Sequence, residues 1–492
     1  KVKMIAEEFL SCSLGLQLNT NPEPQEEVEE SEEEDTESPG EAAVDTQKPS
    51  AETDTLPLQV TVKSSKRKRN NSKSGSGNKR SKSQANTKEE AVVTPRNADP
   101  LHFLQCHSKG NSREDFKTQL WSGAFEPLLD SGAKKDPVVT SSRTVATCGG
   151  ESVCLIDCET GVVLKKYKVA AEEFFSVAWT TLTMVNSDSR KRSHNILAAA
   201  GRRGIVKLIH VASDFCYGEI KAHKKPIATI CFSPAQETHL FTASYDKRIA
   251  LWDIGIPDSD YNFKASWALR RAEPRGTIPS LALLPTLLLL QPSTQLLSGL
   301  HSHCSLNLSF PSTKMKMTFE AIFQFPGEDG EVTSSHRVDG LAFLNDDVVV
   351  SKSSKPGCIY LWSWSWTFDA KAKGCQRTVA AVILAELEWS NTDLSYLTLS
   401  TCPAKGYVFC GDEKGSVWMY HLSSYITAWS SPAKGKRSEK RIPPVQILKW
   451  PELRANGEQL DEILVNNVVA DPSFSFLVVL TSVNITAIWK KS

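Results

Sequence analysis

Beyond residue 98 the chain consists of short apolar runs in which hydrophobic and small or polar positions alternate. Val, Ile, Phe and Trp occupy the apolar positions, and Gly, Asp or Asn separates one run from the next. A period of two is typical of β-strands, whereas the 3.6-residue period of helices is weak in this region. The pattern predicts an all-β domain over residues 99–492, as a sandwich, a barrel or a propeller.

The clearest internal repeat covers residues 218–255 and reads GEIKAHKKPIATICFSPAQETHLFTASYDKRIALWDIG. It resembles a WD repeat, with His223 at the position of the family's Gly-His pair and Ala222 in place of the glycine. The repeat predicts three strands separated by turns: Ile227–Phe232, Leu240–Ser244, and a third strand that ends at Trp252 and Asp253.

A buried chain of hydrogen bonds is implied by this resemblance, since a His, a Ser or Thr, an Asp and a Trp are linked in well-formed WD repeats. The matching positions are His223, Ser244, Asp246 and Trp252. A partly buried carboxylate needs donors, and an imidazole can connect it to a hydroxyl. A catalytic Ser-His-Asp set uses the same residue types, but the spacing and the repeat context favour the structural role, so no catalytic residue is predicted.

Weaker copies of the repeat surround the clearest one, and together they give six recognisable units. Between Trp252 and Trp362 there is room for a further blade, although residues 270–318 are rich in Leu, Pro and Ser and lack Gly-Asp turns. Because a propeller must close, we predict a seven-bladed WD-repeat β-propeller with an irregular blade at 270–318. The weaker copies are Thr144–Gly161, Ile196–Val211, Val338–Trp362, Leu394–Tyr420 and Val465–Trp489, with strands Leu120–Phe125 and Phe175–Trp179 before the first two.

The segment before the propeller has a different composition. Residues 1–18 are predicted to form a short helix or to be the remnant of an upstream repeat region. Residues 19–98 carry ten acidic residues from Glu23 to Glu37 and nine basic residues from Lys63 to Ser83. With so few apolar residues this linker is predicted to be disordered. Its two basic clusters match a bipartite nuclear import signal: Lys66, Arg67, Lys68, Arg69, Lys79, Arg80 and Lys82.

The overall charge gives no further indication of a partner, because 57 basic residues balance 57 acidic ones. The basic clusters can attract nucleic acid weakly, but no aromatic residue interleaves with them to stack on bases. The 12 cysteines contain no CxxC pair, and Cys148, Cys154 and Cys158 fit a strand core, so we expect no metal and no cofactor. The apolar stretch Leu281–Leu300 contains two prolines, so we expect no membrane span.

Several longer strings resemble one family, the leucine-rich-repeat and WD-repeat proteins associated with the origin recognition complex. Besides the repeat at 218–255, the strings are LHFLQCHS near Leu101, ATCGGESVCLIDCETG, EEFFSVAW and NVVADPSFSFL. The resemblance implies a nuclear chromatin scaffold that binds the origin recognition complex and repressive trimethyl-lysine marks on histones. It also implies a location at heterochromatin, including centromeres and telomeres.

Partners of propellers commonly bind at the rim that carries the His and Asp turns. In the clearest repeat this places four candidates for partner binding near that rim: Lys224, Lys225, Tyr245 and Arg248. Trimethyl-lysine is recognised by aromatic faces, so Tyr245 is a candidate wall, as are Phe175 and Trp179, although the alternation around the last two is typical of core.

Two other classes of function compete with a chromatin scaffold. A substrate receptor of a cullin ubiquitin ligase is the alternative, but such receptors often carry Arg two residues after the WD Asp, and Asp253 is followed by Ile254 and Gly255. The chain has no P-loop, HExxH or GxSxG motif, so an enzyme is not expected.

Overall fold

The computed structural model shows that the repeat units form separate antiparallel sheets. Residues 1–59, the predicted import signal and the segment 273–321 lie outside the described residues. The described residues are 60–61, 98–112, 114–129, 142–185, 191–233, 236–246, 248–272, 322–326, 332–333, 338–353, 357–367, 378–390, 392, 394, 396–429, 441–450, 452–455, 458–459 and 463–491.

The first three blades, A to C, are meanders of four antiparallel strands, in which each strand pairs with the next along the chain. This topology follows from the alternating runs and the tight turns between them. Blade A contains Leu120–Phe125, Thr144–Gly149, Ser152–Asp157 and Val163–Lys168; blade B contains Phe174–Val185, Lys191–Gly201, Ile205–His210 and Phe215–Lys221; blade C contains Ile227–Phe232, His239–Ser244, Arg248–Asp253 and Ser266–Ala272.

Blades D to F complete the six blades that the described residues form. Blade D has a fifth strand, which is parallel to its neighbour. Blade F takes its outer strand from the beginning of the domain, so the two ends of the propeller are hydrogen-bonded in one sheet. Blade D contains Val338–Phe343, Val348–Ser353, Cys358–Ser363, Val382–Leu387 and Arg441–Ile442; blade E contains Leu399–Cys402, Tyr407–Gly411, Val417–His421 and Gln446–Leu448; blade F contains Val465–Ala470, Phe476–Thr481, Thr486–Lys491 and Ala98–Leu104.

The WD-repeat propeller architecture predicted from the sequence is therefore present, with six blades on the described residues. Of the segment predicted to form an irregular blade, only residues 270–272 are described, and they end the outer strand of blade C. Seven-bladed closure stays a prediction.

Two small sheets and a few short helices complete the described structure. Val60–Thr61, inside the linker predicted to be disordered, pairs with Glu452–Ala455. The described helices are too short to cross a membrane. The remaining elements are the strands Ile322–Pro326, Val332–Thr333, Thr378–Ala380 and Glu458–Gln459, the α-helices Trp364–Thr367 and Ser423–Trp429, and the 3-10 helices Lys109–Asn111 and Pro403–Lys405.

Among the described residues the core lies between neighbouring blades, where the faces of adjacent sheets pack against each other. Apolar clusters join F to A, A to B, B to C, D to E, and E to F. In the cluster between A and B, for example, Leu155 and Phe174 pack against Leu197, and all three are nearly inaccessible. Burial of a side chain of this size contributes about 1.5–3 kcal/mol, so these contacts hold the blades together.

A β-bulge near the beginning of the first strand recurs in several blades. In blade A the register shifts between Leu120 and Ser122, and in blade B between Phe174 and Ser176. A bulge adds one residue to a strand and re-aims its side chain out of the regular alternation. Trp121 and Phe175 are the extra residues, and both lie at the edge of the sheets that also carries the turns between second and third strands. We call this edge the upper rim.

Candidate functional site

Three aromatic side chains from distant parts of the chain meet at the upper rim, and we call them the aromatic cluster: Trp121, Phe175 and Tyr396. The ring centroids of Trp121 and Phe175 are 5.8 Å apart, with an interplanar angle of 88°. Those of Trp121 and Tyr396 are 6.0 Å apart at 74°. All three residues are half-buried, so part of each remains accessible from solvent.

The bulges explain why two large aromatic residues lie at the rim instead of in the core. In a regular strand Leu120 and Trp121 would point to opposite faces of the sheet, and Leu120 is fully buried between blades F and A. Trp121 would then point between sheets on the other face instead of lying at the rim. Tyr396 comes from the segment that leads into the first strand of blade E, and the hydrogen bond from Thr398 N to Asn466 O, 2.9 Å, ties this segment to blade F. The cluster thus depends on the arrangement of three blades.

Two carboxylates lie next to the aromatic cluster. Burial raises the pKa of Glu173, and this effect is opposed by the charge of Arg202, with which Glu173 forms an ion pair, and by a hydrogen bond with Trp121. Burial raises the pKa of Tyr396 to about 12, and the negative charge of Glu413 adds to this shift. Glu413 is held by the Thr392 hydroxyl, which donates to its carboxylate at 2.8 Å.

Such a set of groups is suited to a cation that cannot donate hydrogen bonds. A quaternary ammonium group is attracted to a ring face when it lies within about 6 Å of the centroid. The three rings touch edge to face, so the cation would bind over their accessible faces and not between them. Carboxylates nearby favour positive charge further. The Tyr396 hydroxyl is buried and has no hydrogen-bond partner among the described residues. A ligand group that accepts a hydrogen bond from it would supply the missing partner.

The hydrogen-bonded chain predicted in the repeat at 218–255 forms in blade C, with one correction. His223 Nδ1 lies 2.9 Å from Asp246 Oδ2, and His223 Nε2 lies 2.8 Å from the hydroxyl oxygen of Thr242. The indole N–H of Trp252 donates to the same hydroxyl at 3.2 Å. The linking hydroxyl therefore belongs to Thr242, which faces the same side of the strand as Ser244 but lies two residues further from the turn.

Ser244 has a different role, which is to hold the turn. Its hydroxyl donates to Lys225 O at 3.1 Å and accepts from Asp246 N at 3.1 Å. Gly204 of blade B supports the other end, since its carbonyl accepts from the backbone N of Ala222 and His223. Gly204 has φ +71°, and a Cβ there would lie 2.3 Å from the carbonyl oxygen of His223, so glycine is required for this approach.

The remaining rim residues predicted from the sequence lie around this turn in blade C. Lys224 and Lys225 are exposed, whereas Tyr245 and Arg248 are half-buried. Burial raises the pKa of Tyr245, and its backbone N donates to Pro226 O at 3.0 Å. Whether these four residues contact a partner stays a prediction.

The other two aromatic candidates separate in the structure. Trp179 packs between blades A and B and donates to Ala124 O at 3.0 Å, so it belongs to the core. Phe175 joins the aromatic cluster. Trp121 and Tyr396 were not predicted. The only local signal was for Trp121, a large aromatic residue beside the buried Leu120 at the beginning of a predicted strand.

Comparison with known proteins agrees with this architecture. Residues 91–492 match the sequence model of the WD domain of leucine-rich repeat and WD repeat-containing protein 1. The human protein of that name is 50% identical over 399 residues, which is 80% of this chain and 57% of the human one. The Xenopus tropicalis protein is 46% identical over 415 residues, 82% of this chain and 58% of its own length. The chain thus spans a little more than half the length of these relatives.

Among solved structures, a chain of a humanized mutant of the Chaetomium thermophilum Polycomb Repressive Complex 2 is similar in fold. The TM-score is 0.50 at 13% identity, covering 81% of this chain and 98% of the other. At this identity the likeness shows the propeller fold alone. The match over most of the chain and the identity to the vertebrate proteins together show that the chain belongs to the family of leucine-rich repeat and WD repeat-containing protein 1.

Proposed function

We propose that this chain is a chromatin-associated scaffold whose propeller binds histone tails that carry repressive trimethyl-lysine marks and also binds the origin recognition complex. By holding both partners it stabilises the association of the origin complex with chromatin and contributes to heterochromatin organisation. The observation that carries the histone half of the proposal is the aromatic cluster, where nearly perpendicular rings and two carboxylates favour a methylated ammonium group.

The remaining parts of the proposal depend on the family and on the sequence. The WD-repeat propeller is a scaffold fold, and we propose no enzymatic activity and no small-molecule cofactor for it. The paired basic clusters at Lys66–Arg69 and Lys79–Lys82 support import into the nucleus and weak contact with nucleic acid. We also propose that a seventh, irregular blade closes the propeller, for which 270–318 is the predicted segment.

The histone proposal is tested by replacing one wall of the cluster. Trp121→Ala removes the ring that contacts both others, so we expect affinity for a trimethyl-lysine histone H3 peptide to fall about tenfold or more. Trp366→Ala is a matched control, because Trp366 is 40% exposed on the short helix of blade D and lies outside the cluster. Equal affinities of both variants and wild type would contradict the proposal.

A second peptide identifies the chemistry of recognition. A peptide in which carbon replaces the quaternary nitrogen has the same shape without the charge, and it should bind clearly more weakly than the trimethyl-lysine peptide.

Tyr245→Ala distinguishes the two places proposed for the pocket. A loss with Tyr245→Ala and none with Trp121→Ala would place the pocket on the turn of blade C instead.

The origin-complex proposal is tested with the purified complex and the 492-residue chain. We expect direct binding, and we expect the double variant Lys224→Glu, Lys225→Glu to weaken it, because both side chains are exposed at the rim. If the chain captures cullin-ligase adaptors and not the purified origin complex, the ubiquitin-ligase alternative is correct.

A further inference from the structure

A central strand of blade A and the loop that precedes this blade bring together a buried cluster of soft metal ligands that the sequence pattern did not predict. One ligand atom from each of Cys106, His107 and Cys154 lies within 4.8 Å of the others. His107 Nδ1 is 3.9 Å from Cys154 Sγ. All three residues are buried, and Cys154 is inaccessible. The two cysteines are 48 residues apart in the chain, so no CxxC motif announces the cluster.

The same position in blade C shows what is unusual here. His107 Nε2 lies 2.8 Å from the Thr147 hydroxyl, just as His223 Nε2 lies 2.8 Å from that of Thr242. In blade C the other ring nitrogen faces the carboxylate of Asp246. In blade A, His107 Nδ1 faces the hydroxyl oxygen of Ser152 at 2.9 Å and, behind it, the thiol of Cys154.

The carboxylate of the blade A turn is occupied elsewhere. Glu151 accepts from the backbone N of Ala171 at 3.2 Å and lies 4.0 Å from the ammonium group of Lys168. Where His223 has a carboxylate, His107 therefore has the Ser152 hydroxyl and, within the same cluster, two thiols. Sulfur and imidazole nitrogen together are the ligand types that zinc prefers.

The ligands come from a firmly held loop and a central strand. The backbone N of His107 donates to Asn484 Oδ1 at 3.2 Å, and Asn484 Nδ2 donates to Asp115 O at 2.9 Å and to Ser108 Oγ at 3.0 Å. Cys154 lies within the strand Ser152–Asp157, which is paired on both sides. A site on such supports needs little rearrangement to bind an ion.

We propose that Cys106 Sγ, Cys154 Sγ and His107 Nδ1 bind one zinc ion, with the Ser152 hydroxyl facing the fourth position. Bonds of about 2.3 Å to sulfur and 2.0 Å to nitrogen in a tetrahedron place nitrogen and sulfur about 3.5 Å apart and the two sulfurs about 3.8 Å apart. The 3.9 Å between His107 Nδ1 and Cys154 Sγ needs to shorten by only a few tenths of an ångström. Binding releases the two thiol protons, and the buried position implies that zinc enters as the domain folds.

The test measures metal content in the purified 492-residue chain produced with added zinc. We expect about one zinc per chain in wild type and in Cys148→Ala, and far less in Cys154→Ala. Cys148 is the matched control, because it is equally inaccessible and lies on the neighbouring strand, paired with Val153, but outside the cluster. Cobalt in place of zinc should give thiolate-to-metal absorption in wild type and in the control alone.

Zinc-edge X-ray absorption of wild type keeps the proposal testable if Cys154→Ala does not fold. Two sulfur neighbours at about 2.3 Å are expected. The proposal is overturned if folded wild type contains no zinc, if zinc remains in folded Cys154→Ala, or if the absorption spectrum shows no sulfur. A mass decrease that shows a Cys106–Cys154 disulfide in the native protein would overturn it as well.

Discussion

Blades A and C place a histidine at the same point of the repeat but surround it with different groups. His223 of blade C lies between a carboxylate and a hydroxyl, and Trp252 completes the chain of hydrogen bonds. His107 of blade A keeps the hydroxyl, but two thiols and a serine replace the carboxylate. The difference shows that a histidine at this position of the repeat can take part either in a complete hydrogen-bond network or in a set of metal ligands.

The chemical group that faces Nδ1 of the histidine decides whether a hydrogen-bond network or a ligand set forms. A carboxylate at hydrogen-bond distance satisfies Nδ1–H and stabilises the turn, and little capacity for a metal ion remains. In blade A the ring nitrogen faces a neutral hydroxyl and a thiol instead, and these groups compete with a soft cation less than a carboxylate does. Four experiments test this contrast, and the removal of zinc should have the largest effect.

Removal of zinc should affect blade A most strongly. If free zinc exceeds its dissociation constant about a thousandfold, binding contributes about 4 kcal/mol to the free energy of unfolding. Dialysis against a chelator should therefore lower the urea midpoint of wild type and of Cys148→Ala. The midpoint of Cys154→Ala should not respond to the chelator. A wild-type midpoint that does not change would remove the distinction between the two histidine sites.

In blade C the hydroxyl of Thr242 should contribute more to the free energy of unfolding than the hydroxyl of Ser244. Thr242→Val leaves the indole N–H of Trp252 without its acceptor and Nε2 of His223 without its donor, so we expect a loss of about 3 kcal/mol in the free energy of unfolding. Ser244→Ala removes weaker links to the turn and should cost about 1 kcal/mol. Chemical denaturation of both variants gives the answer, and the reverse order would mean that Ser244 is the linking residue after all.

The turn carboxylates should differ between the two blades. Asp246→Ala removes the acceptor of His223 Nδ1 and of Arg248 N, with an expected cost of about 2 kcal/mol. Glu151→Ala loses only contacts near the surface and should cost about 0.5 kcal/mol. Equal costs in the same denaturation assay would show that Glu151 supports His107 indirectly.

The smallest effect is expected from pH. Burial lowers the pKa of His223 below its ordinary value of 6.5, and Asp246 opposes this shift. The unfolded chain therefore takes up a proton first, so the free energy of unfolding should fall as pH decreases from about 7 to 5.5. His194, His210 and His421 act in the same direction.

Carboxyl groups set the lower limit of this pH window. Burial raises the pKa of Glu172 and Glu173, so they act in the opposite direction nearer their ordinary value of 4.5. Unfolding titrations at several pH values measure the slope. A free energy of unfolding that rises toward pH 5.5 would show that His223 is stabilised in its charged form.

Much of the fold could be predicted because strands and turns are local features. The predicted strand Leu120–Phe125 has the observed bounds, and the predicted third strand of the repeat at 218–255 ends at Asp253 as observed. The site was less accessible to sequence reasoning. Thr242 and Ser244 lie on the same side of one strand, and local spacing could not decide which of them faces His223.

The contrast between blades A and C separates what sequence and structure each contribute. By itself the sequence determined the WD-repeat propeller and the position of the repeat histidine, because alternation and turn residues act over a few neighbours. Only the tertiary structure decided that Cys106 meets Cys154 and that Trp121 meets Phe175 and Tyr396. These groups are joined by the closing strand of blade F, by bulges and by the packing of blades, and such long-range geometry leaves no periodic signal in the chain.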